Sequence, residues 1–265
     1  MDTLGQFKEM QKEGWKSFAP LETITVAAAA RLVQFAGVSK GMRVLDVGCG
    51  TGVVALTAAR AGAQVEAIDL TPELLERARA NGITAGVSVQ WQEGDAEQLP
   101  FGDGEFDVVL SQFAHIFAPR PQVVTGEMLR VLRSGGTIAF ATWPPDLLVG
   151  KSMALGAQYL PPLPPGVSPP SLWGETHFVQ TQLGDRVKDL AFERAALLVP
   201  ALSVRHYRAH AERTVGSVRK MVETLSVSAP ERLEEYRRQF DDIVEQYYRD
   251  NLVRQDYLLA RARKI

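Results

Sequence analysis

The chain has 265 residues, and its 29 Lys and Arg against 31 Asp and Glu give a net charge of −2, which provides no general field for nucleic acid or an acidic membrane. Because Cys49 is the only cysteine, an internal disulfide and a cysteine-rich metal site are excluded, and we predict no metal. No apolar run reaches the length of a membrane span and the first residues lack a basic signal-peptide region, so we expect a soluble, cytoplasmic protein.

The first 40 residues predict a helical cap that precedes a sheet. Gly14–Pro20 interrupts the helical pattern, and an Ala-rich amphipathic helix follows over Ile24–Phe35. Gly41 then turns the chain into a short apolar run, Val44-Leu45-Asp46-Val47, which reads as a strand that carries an acid near its end.

A loop with glycine at every second position follows this strand: Gly48-Cys49-Gly50-Thr51-Gly52, and then a helix is predicted over Val53–Arg60. Strand, glycine loop and helix form the mouth of a doubly wound sheet, where ligands bind at the carboxyl ends of the strands. A dinucleotide fingerprint requires G-x-G-x-x-G, whereas here the third glycine comes one residue early. A loop without a pyrophosphate to hold, and with an acid just before it, favours a cationic nucleoside that carries an amino acid.

Four further segments complete an alternating pattern. Gln64–Leu70 predicts a second buried strand that ends in Asp69, and the next helix has Thr71 as N-cap, Pro72 at its first position and an end marked by Asn81-Gly82. The remaining segments are a G-D-A-x-x-L-P-F stretch at Gly94–Phe101, a fourth strand at Phe106–Ser111, and a helix, Gly-Gly turn and fifth strand over Met128–Ile138.

Over about residues 41–142 these motifs resemble the class I S-adenosylmethionine-dependent methyltransferases, and the whole chain more loosely resembles the ubiquinone/menaquinone biosynthesis C-methyltransferase-like (methyltransferase type 11) group. The resemblance implies an α/β, Rossmann-like fold with a doubly wound, mostly parallel seven-stranded sheet. It implies S-adenosylmethionine as cofactor and S-adenosylhomocysteine as product, with Asp69 accepting hydrogen bonds from the ribose hydroxyls and Asp95 meeting the adenine amino group. The predicted cofactor-binding residues are Asp46, Gly48, Cys49, Gly50, Thr51, Gly52, Asp69, Leu70, Asp95, Ala96 and Ser111.

The composition changes after the fifth strand, because eight prolines lie between Trp143 and Trp173. We therefore divide a single domain, 1–265, into the helical cap (1–40), a cofactor-binding core (41–142), a proline-rich insertion or lid with one helix near Ser152–Tyr159 (143–185), and a C-terminal part (186–265). In the last part we predict a strand over Val187–Val199, two polar helices over Val204–Ser226 and Pro230–Asn251, and a final antiparallel strand over Arg254–Lys264 whose basic end forms a solvated edge.

Methyl transfer from a sulfonium mainly requires alignment in a dry cavity, so sequence motifs report the cofactor better than the acceptor. His115 follows the fourth strand and is our candidate general base, with a backbone-bonded, partly buried histidine as the alternative. The predicted acceptor-binding residues lie at strand exits and in the caps: Trp15, Phe18, Gln112, Phe113, His115, Trp143, Tyr159, Trp173, His177 and Tyr207.

The clustering of aromatic residues in the caps favours a small, apolar or aromatic acceptor as the partner, with no nucleic acid and no membrane. Two alternatives stay open: a cofactor-binding protein that does not methylate, such as a sensor or partner subunit, and another reaction of S-adenosylmethionine on the same fold. The sequence does not define the acceptor or the oligomeric state.

Overall fold

The computed structural model describes residues 2–265. Its helices are α1 (Thr3–Trp15), α2 (Glu22–Ala36), α3 (Val53–Arg60), α4 (Pro72–Ala85), α5 (Pro121–Val131), α6 (Leu148–Ala157), α7 (Thr176–Leu183), α8 (Val204–Thr214), α9 (Gly216–Ser228) and α10 (Pro230–Glu245). Its strands are β1 (Arg43–Val47), β2 (Gln64–Asp69), β3 (Gln90–Glu93), β4 (Phe106–Gln112), β5 (Leu132–Thr142), β6 (Val187–Pro200), β7 (Tyr248–Arg249) and β8 (Leu252–Lys264). Short 3-10 turns include Ala19–Leu21, His115–Phe117 and Pro170–Gly174.

The sheet has the order β3-β2-β1-β4-β5-β8-β6. Strands β1 to β5 are parallel, and β8 runs antiparallel between β5 and β6. This confirms the predicted α/β, doubly wound, mostly parallel fold. The chain order reverses between β1 and β4, and such a switch point opens a crevice at the carboxyl ends of the strands.

The sheet has an eighth strand that the sequence did not predict. The two-residue β7 pairs with β8, where Tyr248 lies opposite Val253 and Arg249 opposite Leu252. Asp250 and Asn251 join the two strands with φ angles of 50° and 59°, and tight two-residue hairpins of type I′ require positive φ at both positions. The predicted helix over Pro230–Asn251 was therefore too long, since α10 ends at Glu245.

Helix α4 continues through Asn81-Gly82 and ends at Ala85, so the predicted end was wrong. Gly86, with φ 65°, forms the left-handed C-cap. The Asn81 amide instead donates to Glu22 Oε2 at 2.9 Å and to the carbonyl oxygen of Thr51 at 3.1 Å. Asn81 therefore does not end the helix, and its side chain holds α2 and the glycine loop against α4.

The predicted helix over Val204–Ser226 consists of two helices, α8 and α9, which meet at the extended residue Val215. The break allows a close backbone contact. A Cβ on Gly216 would overlap the carbonyl oxygen of Gly14 and lie 2.6 Å from its Cα, so α9 and the end of α1 touch through two glycines.

In the insertion, α6 begins at Leu148 rather than near Ser152, and a second helix, α7, precedes β6. The basic end of β8 is not a solvated sheet edge, because β6 covers that side of the strand. Arg261 donates from Nη1 to the carbonyl oxygen of Phe35 at 3.0 Å, and Lys264 donates to that of Leu132 at 2.7 Å. Across residues 2–265, no helix is long and apolar enough to cross a membrane.

Candidate functional site

The glycine loop lies across the carboxyl end of β2. Gly48, Gly50 and Gly52 have φ angles of +70°, +54° and +87°, a region that side chains with a Cβ seldom adopt. A Cβ on Gly52 would lie 2.6 Å from the Trp91 ring, and one on Gly48 would overlap the Ala114 methyl group. The three glycines are therefore required by both backbone conformation and space.

Asp69 ties this loop to the start of α4. Its Oδ2 accepts from the Gly50 N–H at 2.8 Å and its Oδ1 from the Thr71 N–H at 2.9 Å. Burial raises the pKa of Asp69, although the N–H donors of Thr71 and Gly50 oppose this shift. The residue is 8% exposed, and each carboxylate oxygen accepts one loop N–H and retains a lone pair.

Asp46 lies beneath the loop at the end of β1 and is 1% exposed. Its Oδ2 accepts from the Ala55 N–H at 3.0 Å, whereas its Oδ1 has no hydrogen-bond partner among residues 2–265. Burial raises the pKa of Asp46 to about 7, and the nearby Asp69 adds to the shift. A buried carboxyl group with a free oxygen is suited to a cationic ligand group, which would stabilise its ionised form.

Asp95 and Glu97 follow β3. Asp95 Oδ1 accepts from the Glu97 N–H at 2.9 Å, and its Oδ2 pairs with Lys8 of α1. The Glu97 carboxylate is almost fully buried and pairs with Lys8 at 2.7 Å and with Arg120 at 2.9 Å. The Asp95 side chain is 31% exposed and remains accessible at the site.

The other predicted cofactor residues occupy different depths. Leu70 and Ala96 are half-buried beside Asp69 and Asp95, while Thr51 is buried in the loop. Burial raises the pKa of the Cys49 thiol well above its usual value.

Ser111 is fully buried, donates to the carbonyl oxygen of Val47 at 2.7 Å and accepts from the His115 N–H at 3.1 Å. Its hydroxyl thus joins β4 to β1 and supports the turn that carries His115.

His115 is 1% exposed, and its ring centroid lies 4.6 Å from those of Phe140 and Trp173. Burial lowers the pKa of His115 to about 3, so the ring is neutral near pH 7. Neither ring nitrogen has a hydrogen-bond partner in the described part of the chain, 2–265. The ring therefore offers one donor and one acceptor beside the end of β4.

A second aromatic group lies at the exits of β4 and β5. Phe113 stacks on Trp143 with centroids 3.9 Å apart and planes at 13°, and both side chains are 8% exposed. Phe113 has φ 59°, an unusual value for an aromatic residue, and its N–H donates to the carbonyl oxygen of Ala141 at 3.0 Å. The neighbouring Gln112 donates to the carbonyl oxygen of Thr25 at 3.0 Å, which joins β4 to α2.

The N-terminal aromatic residues close the loop side of the site. Trp15 lies 4.7 Å from the Phe117 ring and 5.8 Å from that of Phe18. Phe18 faces the glycine loop, since its Cε1 is 4.0 Å from the position of a Cβ on Gly50.

Three predicted acceptor residues lie apart from these groups. Tyr159 packs on Tyr236, with centroids 5.4 Å apart, and Tyr207 stacks over Phe240, so both contribute to the packing of α6, α8 and α10. Tyr207 also accepts from Gln255 Nε2 at 2.6 Å. His177 is exposed on α7.

Sequence reasoning predicted Asp95 but missed Lys8 and Glu97, which surround it. Lys8 and Asp95 are separated by 87 positions, so no local pattern links them. A signal existed in the spacing of Lys8, Lys12 and Lys16, which places all three lysines on one face of a helix.

Comparisons with known proteins agree with this geometry. A model of the methyltransferase domain matches residues 45–140. An uncharacterised protein of Mycobacterium tuberculosis H37Rv is 35% identical over 269 residues, which cover 100% of this chain and 93% of that protein. The ubiquinone biosynthesis O-methyltransferase of Xanthomonas oryzae pv. oryzae is 32% identical over 165 residues, which cover 61% of this chain and 69% of that enzyme.

Solved structures share the fold. A Bacillus halodurans C-125 protein with a provisional methyltransferase name superposes with a TM-score of 0.61 at 23% identity, covering 90% of this chain and 99% of that chain. The [4+2]-cyclase SpnF superposes with a TM-score of 0.52 at 20% identity, covering 90% of this chain and 80% of that chain. Since the family model covers the glycine loop together with Asp46, Asp69 and Asp95, and both sequence relatives match this chain at 32% identity or more, the chain belongs to the class I S-adenosylmethionine-dependent methyltransferases.

Proposed function

We propose that the protein binds S-adenosylmethionine at the carboxyl ends of β1, β2 and β3 and transfers its methyl group to a small, apolar or aromatic acceptor. The observation that carries this proposal is that Asp46, Asp69 and Asp95 lie at the carboxyl ends of the neighbouring strands β1, β2 and β3, where the loop that follows β1 has three glycines with positive φ. Asp69 would receive the ribose hydroxyls and Asp95 the adenine amino group. Asp46 supports the amino-acid end, because its free buried oxygen favours a cationic group.

The acceptor would lie between the end of β4 and the insertion. Phe113 with Trp143 and His115 with Trp173 lie there, each 8% exposed or less, and their faces would suit a flat or apolar molecule once the insertion opens. The positive φ of Phe113 costs about 1 kcal/mol or more, and such strain is concentrated at functional sites.

The bound cofactor supplies an activated methyl group, and the protein mainly aligns the acceptor and excludes water. We propose that His115 contributes as a neutral imidazole whose free nitrogen accepts a hydrogen bond from the acceptor. Its environment disfavours the imidazolium, so this residue would orient the acceptor and take a proton only when a bound acceptor compensates the charge.

Calorimetry with S-adenosylhomocysteine tests the cofactor site. We expect binding in the micromolar range, worth roughly 8 kcal/mol, and none of NAD. Asp69→Asn keeps one acceptor for a loop N–H but loses the charge, so affinity should fall at least about tenfold. Asp185→Asn, an exposed acid before β6, is the matched control and should bind as the wild type does.

Saturable NAD binding without a response to S-adenosylhomocysteine would contradict the cofactor assignment. An acceptor screen that detects S-adenosylhomocysteine by mass then tests the reaction. Tight cofactor binding with no product from apolar or aromatic acceptors would instead support a protein that binds without methylating.

A further inference from the structure

Helix α1 is held on the site by charge. Within Thr3–Trp15 only Phe7 is buried, so little apolar surface fixes this helix. Lys12 pairs with Glu93 at 2.8 Å and Lys16 with Glu73 at 3.0 Å, while Lys8 pairs with Asp95 and Glu97. The three lysines therefore attach one helical face to α4, to the end of β3 and to the segment that follows β3.

Lys8 differs from the other two lysines chiefly in its partners. Its side chain is 16% exposed, close to the 21% of Lys12, but the Glu97 side chain is 1% exposed, whereas the Glu93 and Glu73 side chains are 53% and 46% exposed. Pairs between exposed groups contribute about 0 to 1 kcal/mol, whereas removal of one partner of a buried pair costs more because it leaves the other charge buried without compensation. Loss of the Lys8 charge should therefore disturb this region more than loss of Lys12 or Lys16.

Glu97 links Lys8 to the start of α5. It accepts from the Arg120 N–H at 2.6 Å, from Arg120 Nε at 3.1 Å and from Arg120 Nη2 at 2.9 Å, and Lys8 supplies a further donor at 2.7 Å. The same ammonium group pairs with Asp95 Oδ2, and Asp95 Oδ1 is held by the Glu97 N–H. Both oxygens of Asp95 are therefore fixed in place, and each retains a lone pair for a ligand donor.

Given the cofactor site proposed above, we propose that Lys8 is a positioning residue that fixes the Asp95 carboxylate for the adenine amino group and holds α1 over the adenine end. Removal of the ammonium group leaves Asp95 held by the Glu97 N–H alone and loosens α1 at its most buried ion pair. Cofactor affinity then falls because the contacts at the adenine end weaken, whereas those at the ribose and the amino-acid end are unchanged.

Calorimetry with S-adenosylhomocysteine and with adenosine tests this role in the full chain. Lys8→Met should weaken both ligands by about the same factor, on the order of tenfold, because the lost contact lies at the nucleoside. Lys8→Arg retains a cation and should recover most of the affinity. Lys12→Met is the matched control on the same helical face, and it should bind within about twofold of the wild type.

Hydrogen exchange provides a second measurement. In Lys8→Met, the amides of α1 should exchange faster, while those of β1 and β4 stay as protected as in the wild type. Wild-type affinity in Lys8→Met, or tighter binding because the lysine competes with adenine, overturns the positioning role and leaves the proposed cofactor site intact. A wild-type protein that binds neither ligand would overturn both.

Discussion

Two buried titratable residues near the site oppose each other in their effect on stability. Burial raises the pKa of Asp46 from 3.8 to about 7 and lowers that of His115 from 6.5 to about 3. Between about pH 4 and pH 6.5, the folded protein holds a proton on Asp46 that the unfolded chain has released. It lacks a proton on His115 that the unfolded chain has bound.

The signs follow from linkage. As pH rises from about 4 to 6.5, the stability associated with Asp46 decreases, because the unfolded carboxyl group ionises freely. Over the same interval the stability associated with His115 increases, because the unfolded imidazole loses its proton. Each residue contributes about 3 kcal/mol over this interval, so the two effects nearly cancel in the wild type.

Single substitutions should separate these effects. In Asp46→Asn, the free energy of unfolding should rise by about 3 kcal/mol between pH 4 and pH 6.5, and in His115→Leu it should fall by about as much. Urea unfolding at several pH values measures both slopes. Parallel profiles for the wild type and both variants would mean that these groups titrate normally in the folded protein.

The placement of Asp46, Asp69 and Asp95 at one edge of the sheet was predictable because each lies at or just after the carboxyl end of its strand, within a local motif. The second role of Asp69 was not, since its bonds to Gly50 and Thr71 depend on how two loops meet. The burial of His115 likewise depends on Phe140 and Trp173, which lie far away in sequence.

At the scale of elements, strands β1, β2, β4 and β5 were predictable because their apolar runs alternate with predicted helices. Strand β3 has no apolar run, since Trp91 is its only apolar residue. The split between α8 and α9 was not predictable, because it serves the contact of Gly216 with Gly14. No local pattern specifies which glycine of a helix will meet another backbone.

That contact leads to a prediction. Gly216→Ala should destabilise the protein by about 1 to 3 kcal/mol, because the new methyl group overlaps the Gly14 backbone and α1 must shift. Gly126→Ala in α5 is the matched control: a Cβ there meets nothing within 4 Å, so stability should increase by about 0.5 to 1 kcal/mol. Equal effects of the two substitutions in urea unfolding would show that the glycine contact is loose.

At the scale of the whole molecule, we propose that residues 143–180 and 1–20 act as a mobile lid. Leu155 and Trp173 are buried, whereas most of residues 161–169 is exposed or half-buried and rich in proline. We expect hydrogen exchange to be fastest in that proline-rich stretch and in α1, and to slow in α1 when S-adenosylhomocysteine is added. Protection in both segments equal to that of β1 and β4 without ligand would identify them as fixed structure.

The placement of β8 has a consequence for biosynthesis. This strand follows every other described strand in the chain, yet it lies between β5 and β6. During translation β6 emerges first and has no neighbour until β8 is made, so that edge of the nascent sheet stays open for the time needed to synthesise α8 to α10 and β7. Ribosome-bound chains arrested before residue 252 should therefore depend on chaperones, whereas release of the complete strand should close the sheet in a single late step.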